Sequence, residues 1–139
     1  MIKEKLNCIL LVDDDESTNF LHRYVVEKTQ YAKKCVTVHS GQEALDYLTS
    51  TEEGEHPQPD LVFLDINMPA MNGWEFLEHY KQLDKNQQGK VVVVMLTTSI
   101  NPDDREKSKL FSDVTGFKNK PLTKEMILEL IKEHFPEKI

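Results

Sequence analysis

Six polar side chains stand at the ends of strand-like runs along this chain. Asp13 and Asp14 follow residues 6–12, Asp65 ends the run 61–64, Thr97 and Thr98 end 91–96, and Lys120 stands just past 114–118. If the runs are neighbouring strands, the acids converge. Each pair of carboxylates about 4 Å apart then costs on the order of 4 kcal/mol at an effective dielectric near 20. Either protonation or a divalent cation must offset that cost, and an all-oxygen donor set without His or Cys favours Mg²⁺ over zinc. Lys120 adds a point charge of opposite sign and Thr97 a hydroxyl donor. A carboxylate nucleophile, a metal, a lysine and a hydroxyl are together what phosphoryl transfer requires, and the product would be an aspartyl phosphate on Asp65. Taken singly, Asp65 beside Asn67 and Pro69 reads as a turn cap, and the run from Asp13 to Glu16 as a match to a helix dipole.

These residues meet only if the elements carry them to one edge. Residues 61–65 are apolar up to the acid, which is the pattern of a strand buried on both faces of a parallel sheet. Pro69 and Gly73 then break the strand. Residues 6–12, 35–39, 91–96 and 114–118 are further strand candidates. Helices are expected over 17–28, from Ser40 through Leu48, from Gly73 to about Leu83, from the Asn101-Pro102 start to Phe111, and from a Thr123 cap onward. The first should face the sheet through Phe20, Leu21, Tyr24 and Val25, the third through Phe76, Leu77, Tyr80 and Leu83, and the last through Met126, Ile127, Leu130 and Ile131. The fourth has only Leu110 and Phe111 as apolar anchors, so its stability should be low. Residues 49–59 and 84–90 read as loops. Five strands alternating with five helices imply an α/β parallel sheet with right-handed crossovers, whose carboxyl ends form the ligand crevice.

Length and composition bound the rest. At 139 residues the chain is expected to be a single domain, with no output domain after it. No apolar run is long enough for a membrane span, and the N-terminus does not read as a signal peptide, so a cytoplasmic location without membrane insertion is expected. The net charge of −7 argues against direct nucleic-acid binding. Cys8 and Cys35 lack metal or redox spacing and read as small core residues, although their strands could neighbour one another.

With those residues in place, the chain resembles a response-regulator receiver domain of the chemotaxis-type, single-domain kind used in two-component signalling. The match rests on Asp13-Asp14, on Asp65 with Met68-Pro69 and Gly73, on Thr97, and on Lys120-Pro121. The resemblance implies a flavodoxin-like, doubly wound sheet in the order 2-1-3-4-5. It implies that Asp65 is the phosphoacceptor and that Asp14, Asp65 and the backbone carbonyl of Asn67 ligate Mg²⁺, with Asp13 acting partly through water. Thr97 and Lys120 would hold the phosphoryl oxygens. Thr97 and Phe117 would form a switch that changes the surface of helix 4, strand 5 and helix 5. The implied partners are a sensor histidine kinase or histidine phosphotransfer protein and a downstream protein, and no turnover enzyme is implied. Asn67 and Ser99 sit where the phosphate lifetime is tuned in this family.

Two other readings compete. Asp13-x-Asp15, Thr97 and Lys120 echo a haloacid-dehalogenase-type phosphatase, but no strand-terminal acid follows Lys120 and there is no room for a cap. A receiver-fold interaction module that is never phosphorylated is opposed by the presence of every acid, the threonine and the lysine.

Overall fold

A computed structural model describes residues 2–88, 92–98, 102–111 and 114–139. Its strands are β1 (Ile9–Val12), β2 (Cys35–Val38), β3 (Leu61–Asp65), β4 (Val92–Thr97) and β5 (Val114–Asn119). Between and after them run α1 (Glu16–Thr29), α2 (Gly41–Thr49), α3 (Gly73–Tyr80), α4 (Pro102–Ser108) and α5 (Lys124–His134). All strand pairs are parallel, and the order across the sheet is β2-β1-β3-β4-β5. The α/β expectation and its strand order hold. Ser99 and Asn101 lie outside the described residues.

Side-chain alternation splits the core in two. Leu10, Val12, Val62, Leu64, Val93 and Met95 face α2 and α3, whereas Ile9, Leu11, Leu61, Phe63, Val94 and Leu96 face α1 and α5. All five β3 residues are buried, which is why that strand reads as apolar without a break. The same alternation decides the fate of the cysteines. Ile9 pairs with Cys35, so Cys8, one residue earlier, points to the opposite face. Both thiols are free and buried, and a bridge between them would have to cross the sheet.

Three expectations are corrected. The stripe assigned to α1 is wrong: Phe20 is 75% exposed, Tyr24 55% and Leu21 48%, and Val25 is only half-buried. Asn19, His22 and Val26 face inward instead. The helix phase is set by polar bonds, because Asp15 caps it through Thr18 and the Asn19 amide donates to the carbonyls of Asp13 and Val38. In the second correction, α4 ends at Ser108 and Leu110 is 74% exposed, so of the two expected anchors Phe111 alone is buried. Thirdly, the 84–90 segment contains a helical turn, Lys85–Gln88. Its sequence signal is Asp84-x-x-Gln87, half of a capping box, in which Gln87 Oε1 accepts from the Asp84 amide at 3.0 Å.

Candidate functional site

Parallel register brings the acids to one place. Val12 pairs with Leu64, so Asp13 and Asp65 are the next residues along neighbouring strands and point to the same side of the sheet. One oxygen from each of Asp13, Asp14 and Asp65 lies within 4.8 Å of the other two. Asp13 and Asp65 are buried and Asp14 is exposed, so the cluster has two inner walls and one outer wall. Lys120 closes it from β5, with Nζ 2.6 Å from Asp13 Oδ2 and 3.3 Å from Asp65 Oδ1. Thr97 is buried at the end of β4, and its carbonyl accepts from the Lys120 amide at 2.8 Å.

The backbone after β3 is as constrained as the side chains. Asn72 caps α3 in a full capping box with Glu75, and the Gly73 amide donates to Ile66 O at 2.8 Å. A Cβ on Gly73 would lie 2.8 Å from the Asp65 carbonyl oxygen, so only glycine lets α3 start this close to the strand. Asn67, two residues beyond Asp65, is exposed and donates its amide to the Asp65 carboxylate.

Electrostatics follow from this crowding. Burial first, and then the Asp13 charge, push the Asp65 carboxyl up to about 6 against the pull of Lys120. Burial alone would lower the Lys120 ammonium, but hydrogen bonding and charge from Asp13, then Asp65, outweigh it and raise it above its ordinary range. One ammonium serves two buried carboxylates, with a third acid at the rim. A pocket of oxygen donors carrying surplus negative charge fits a hard divalent cation, and Mg²⁺ in particular, which takes one or two carboxylates and keeps its waters.

Of the two switch candidates, Thr97 follows Leu96, the partner of Asp65 in the sheet, and Phe117 pairs with Met95 inside β5. Phe117 on β5 is partly buried, with its ring centroid 6.2 Å from Trp74, and Trp74 stacks on Phe111 at 5.8 Å. The Trp74 indole donates to Asp104 of α4 at 3.4 Å, a long bond. Asp15, the second acid of the phosphatase reading, is turned into its own helix, where it accepts from Thr18. Sequence reasoning missed Asn19 and His22, the buried polar rung behind Asp13. Their spacing with Val26, three and four apart, was visible, but two polar residues do not register as a buried face.

A five-stranded parallel sheet in this order with acids at its switch point defines a flavodoxin-like receiver architecture. The model of the response regulator receiver domain matches residues 9–132, and the chain belongs to that family. Sporulation initiation phosphotransferase F of Bacillus subtilis is 32% identical over 138 residues, covering 99% of this chain and 98% of the relative. Chemotaxis protein CheY of Halobacterium salinarum is 26% identical over 125 residues, covering 90% and 93% respectively. Among solved structures, a two component response regulator from Cytophaga hutchinsonii superposes with a TM-score of 0.81 at 28% identity, covering 96% of this chain and 99% of that one. The protein is thus a receiver of two-component signalling, and receiver domains are generally non-enzymatic signalling modules.

Proposed function

We propose that Asp65 accepts a phosphoryl group from a phosphohistidine of a sensor kinase or histidine phosphotransfer protein, and that the chain acts as a cytoplasmic signalling receiver. The observation that carries this is the convergence of Asp13, Asp14 and Asp65 within 4.8 Å, with Lys120 3.3 Å from Asp65. An Asp65 carboxylate oxygen attacks phosphorus, the P–N bond to the donor imidazole breaks, and the imidazole keeps the electron pair and takes a proton. Lys120 neutralises charge on the transferring oxygens, and the Thr97 hydroxyl donates to one of them. Asp13, Asp14, Asp65 and the Asn67 carbonyl would hold Mg²⁺, which would supply neutralisation of phosphoryl charge. Asn67, exposed at the mouth, sets how readily water reaches the aspartyl phosphate.

Two features beyond the pocket support the reading. Phe20, Leu21 and Tyr24 form an exposed apolar strip on α1, the helix that begins at the acids, and such a strip suits a helical donor protein docking over the site. Phe117 contacts Trp74, which bonds to Asp104 of α4, so a Thr97 displacement that draws Phe117 inward would alter the face of α4, β5 and α5, where the downstream protein would bind.

Mass spectrometry after incubation with acetyl phosphate and Mg²⁺ tests the central step. Wild type should gain one phosphoryl group and Asp65→Asn none. Uptake by Asp65→Asn, or none by wild type, overturns the assignment.

A further inference from the structure

The segment Lys120-Pro121-Leu122 carries the pocket's only described cation, and it has just two backbone N–H groups, because proline has none. Both are taken. The Lys120 amide donates to the Thr97 carbonyl at 2.8 Å, and the Leu122 amide donates to His22 Nε2 at 3.2 Å. The first acceptor is backbone and would exist with any residue at 97. The second is a side-chain choice, made in the middle of a helix whose own carbonyls are spent on its ladder. His22 is 2% exposed, and Leu122 beside it is 2% exposed. A buried Leu122 amide without that acceptor would be left unpaired.

We infer that His22 is a positioning residue for Lys120: from the buried side of α1 it straps the β5–α5 connection, and so fixes where the lysine reaches between Asp13 and Asp65. This inference rests on the proposed phosphoryl chemistry for its consequence, though not for its geometry. Asn19, one turn earlier on the same buried face, holds the other partner of the ion pair, donating to the Asp13 carbonyl at 2.8 Å and to Val38 O at 3.1 Å. The two ends of the Asp13–Lys120 contact are therefore both tied to α1.

The strap requires neutral imidazole with its proton on Nδ1, since a protonated Nε2 would face the Leu122 N–H donor to donor. Its surroundings favour that form. Burial lowers the His22 pKa, and the two charges near it oppose each other, Asp13 raising it and Lys120 lowering it. Glutamine carries its side-chain oxygen the same number of bonds from Cα as Nε2, so it can replace the acceptor. Leucine fills similar space without one, and asparagine keeps polarity but stops a bond short.

The test compares His22→Leu and His22→Gln with wild type. Hydrogen exchange at the Leu122 amide and the ¹⁵N resonance of the Lys120 ammonium read the strap without any chemistry. Protection should be lost and the resonance should move in His22→Leu, and both should return in His22→Gln. If His22→Leu does not fold, His22→Asn takes its place with the same expectation. The rate of phosphoryl uptake from acetyl phosphate should fall on the order of tenfold in His22→Leu and recover to within about twofold in His22→Gln, the size expected for a sub-ångström misplacement. In a Lys120→Met background the same His22→Leu change should alter the rate by less than about twofold. An unchanged Leu122 amide or Lys120 resonance in His22→Leu overturns the inference, as does a full tenfold loss without Lys120. A wild type that takes up no phosphoryl group sinks the proposed function instead, and the two resonance measurements then decide the positioning claim alone.

Discussion

The two halves of the sheet's carboxyl edge are built differently. On the β1–β3 side, Asp13 and Asp65 stand at the ends of strands whose residues are all buried, and Lys120 Nζ pins them from 2.6 and 3.3 Å. Each buried aliphatic or aromatic side chain in those strands contributes about 1.5–3 kcal/mol. On the β4–β5 side, α4 has no buried residue, and its neighbourhood is held by Trp74, Phe111 and Phe117 at ring distances near 6 Å. Aromatic contacts of that kind are worth about 0.5–1.5 kcal/mol each beyond the area they bury. Chemistry needs fixed charges, whereas a signal needs an element that moves for little energy. Residues 93–97 of β4 are as buried as β1 and β3, so the shallow wells of this edge lie under α4 and β5 alone.

Lys120→Met gives the largest contrast. Removing the only described countercharge should slow phosphoryl uptake by roughly a hundredfold, the usual loss for one electrostatic stabiliser. It should also destabilise the metal-free protein by about 2 kcal/mol, less than a fully buried pair because the lysine side chain keeps some exposure. Uptake kinetics and urea unfolding measure the two effects. A rate within a few-fold of wild type would remove the lysine from the chemistry.

Asp65→Asn should act in the opposite direction on stability. The folded carboxyl titrates near 6, above its ordinary 3.8, so its ionised form is disfavoured by folding. The cost is fully present above about pH 6, shrinks as the pH falls, and is gone below 3.8. Without metal at neutral pH the variant should gain on the order of 2 kcal/mol, a rise of about 5 °C in Tm. Mg²⁺ should narrow the difference. Equal melting temperatures at pH 7.5 in chelator would show that the carboxylates are not in conflict.

The smallest effects belong to the shallow side. Phe111→Leu should cost about 1 kcal/mol through its stack on Trp74, while Leu110→Ser, one residue earlier and exposed, should stay within about 0.5 kcal/mol. Near-UV signal from Trp74, the chain's single tryptophan, should change in the first and not in the second. Equal costs would erase the distinction between the two sides.

Much of this architecture is legible in the sequence. A run such as Leu61 to Leu64 has no polar face to offer water, so its strand, its burial and the placement of Asp65 at its end follow from composition and parallel-sheet geometry alone. Asp13 and Thr97 are legible for the same reason, since each closes a run of that kind, whereas Lys120 follows the mixed strand Val-Thr-Gly-Phe-Lys-Asn, none of whose residues is fully buried. The amphipathic helices α3 and α5 were likewise given away by apolar spacing, and Phe76, Leu77, Ile127, Leu130 and Ile131 are buried as expected.

The first helix was not legible that way. Phe20, Leu21 and Tyr24 have the hydropathy and spacing of a buried stripe, yet the structure turns them outward and buries Asn19 and His22. Periodicity ranks faces by transfer free energy, whereas the phase of α1 is decided by partners that are distant in sequence: the Asp13 and Val38 carbonyls for Asn19 and the Leu122 amide, a hundred residues away, for His22. Local order, from elements to the acids at their ends, was set by the chain's own pattern of apolar runs and breaks. Which polar groups would be satisfied in the interior, and therefore which way α1 faces, depended on hydrogen bonds that exist only once the sheet has closed.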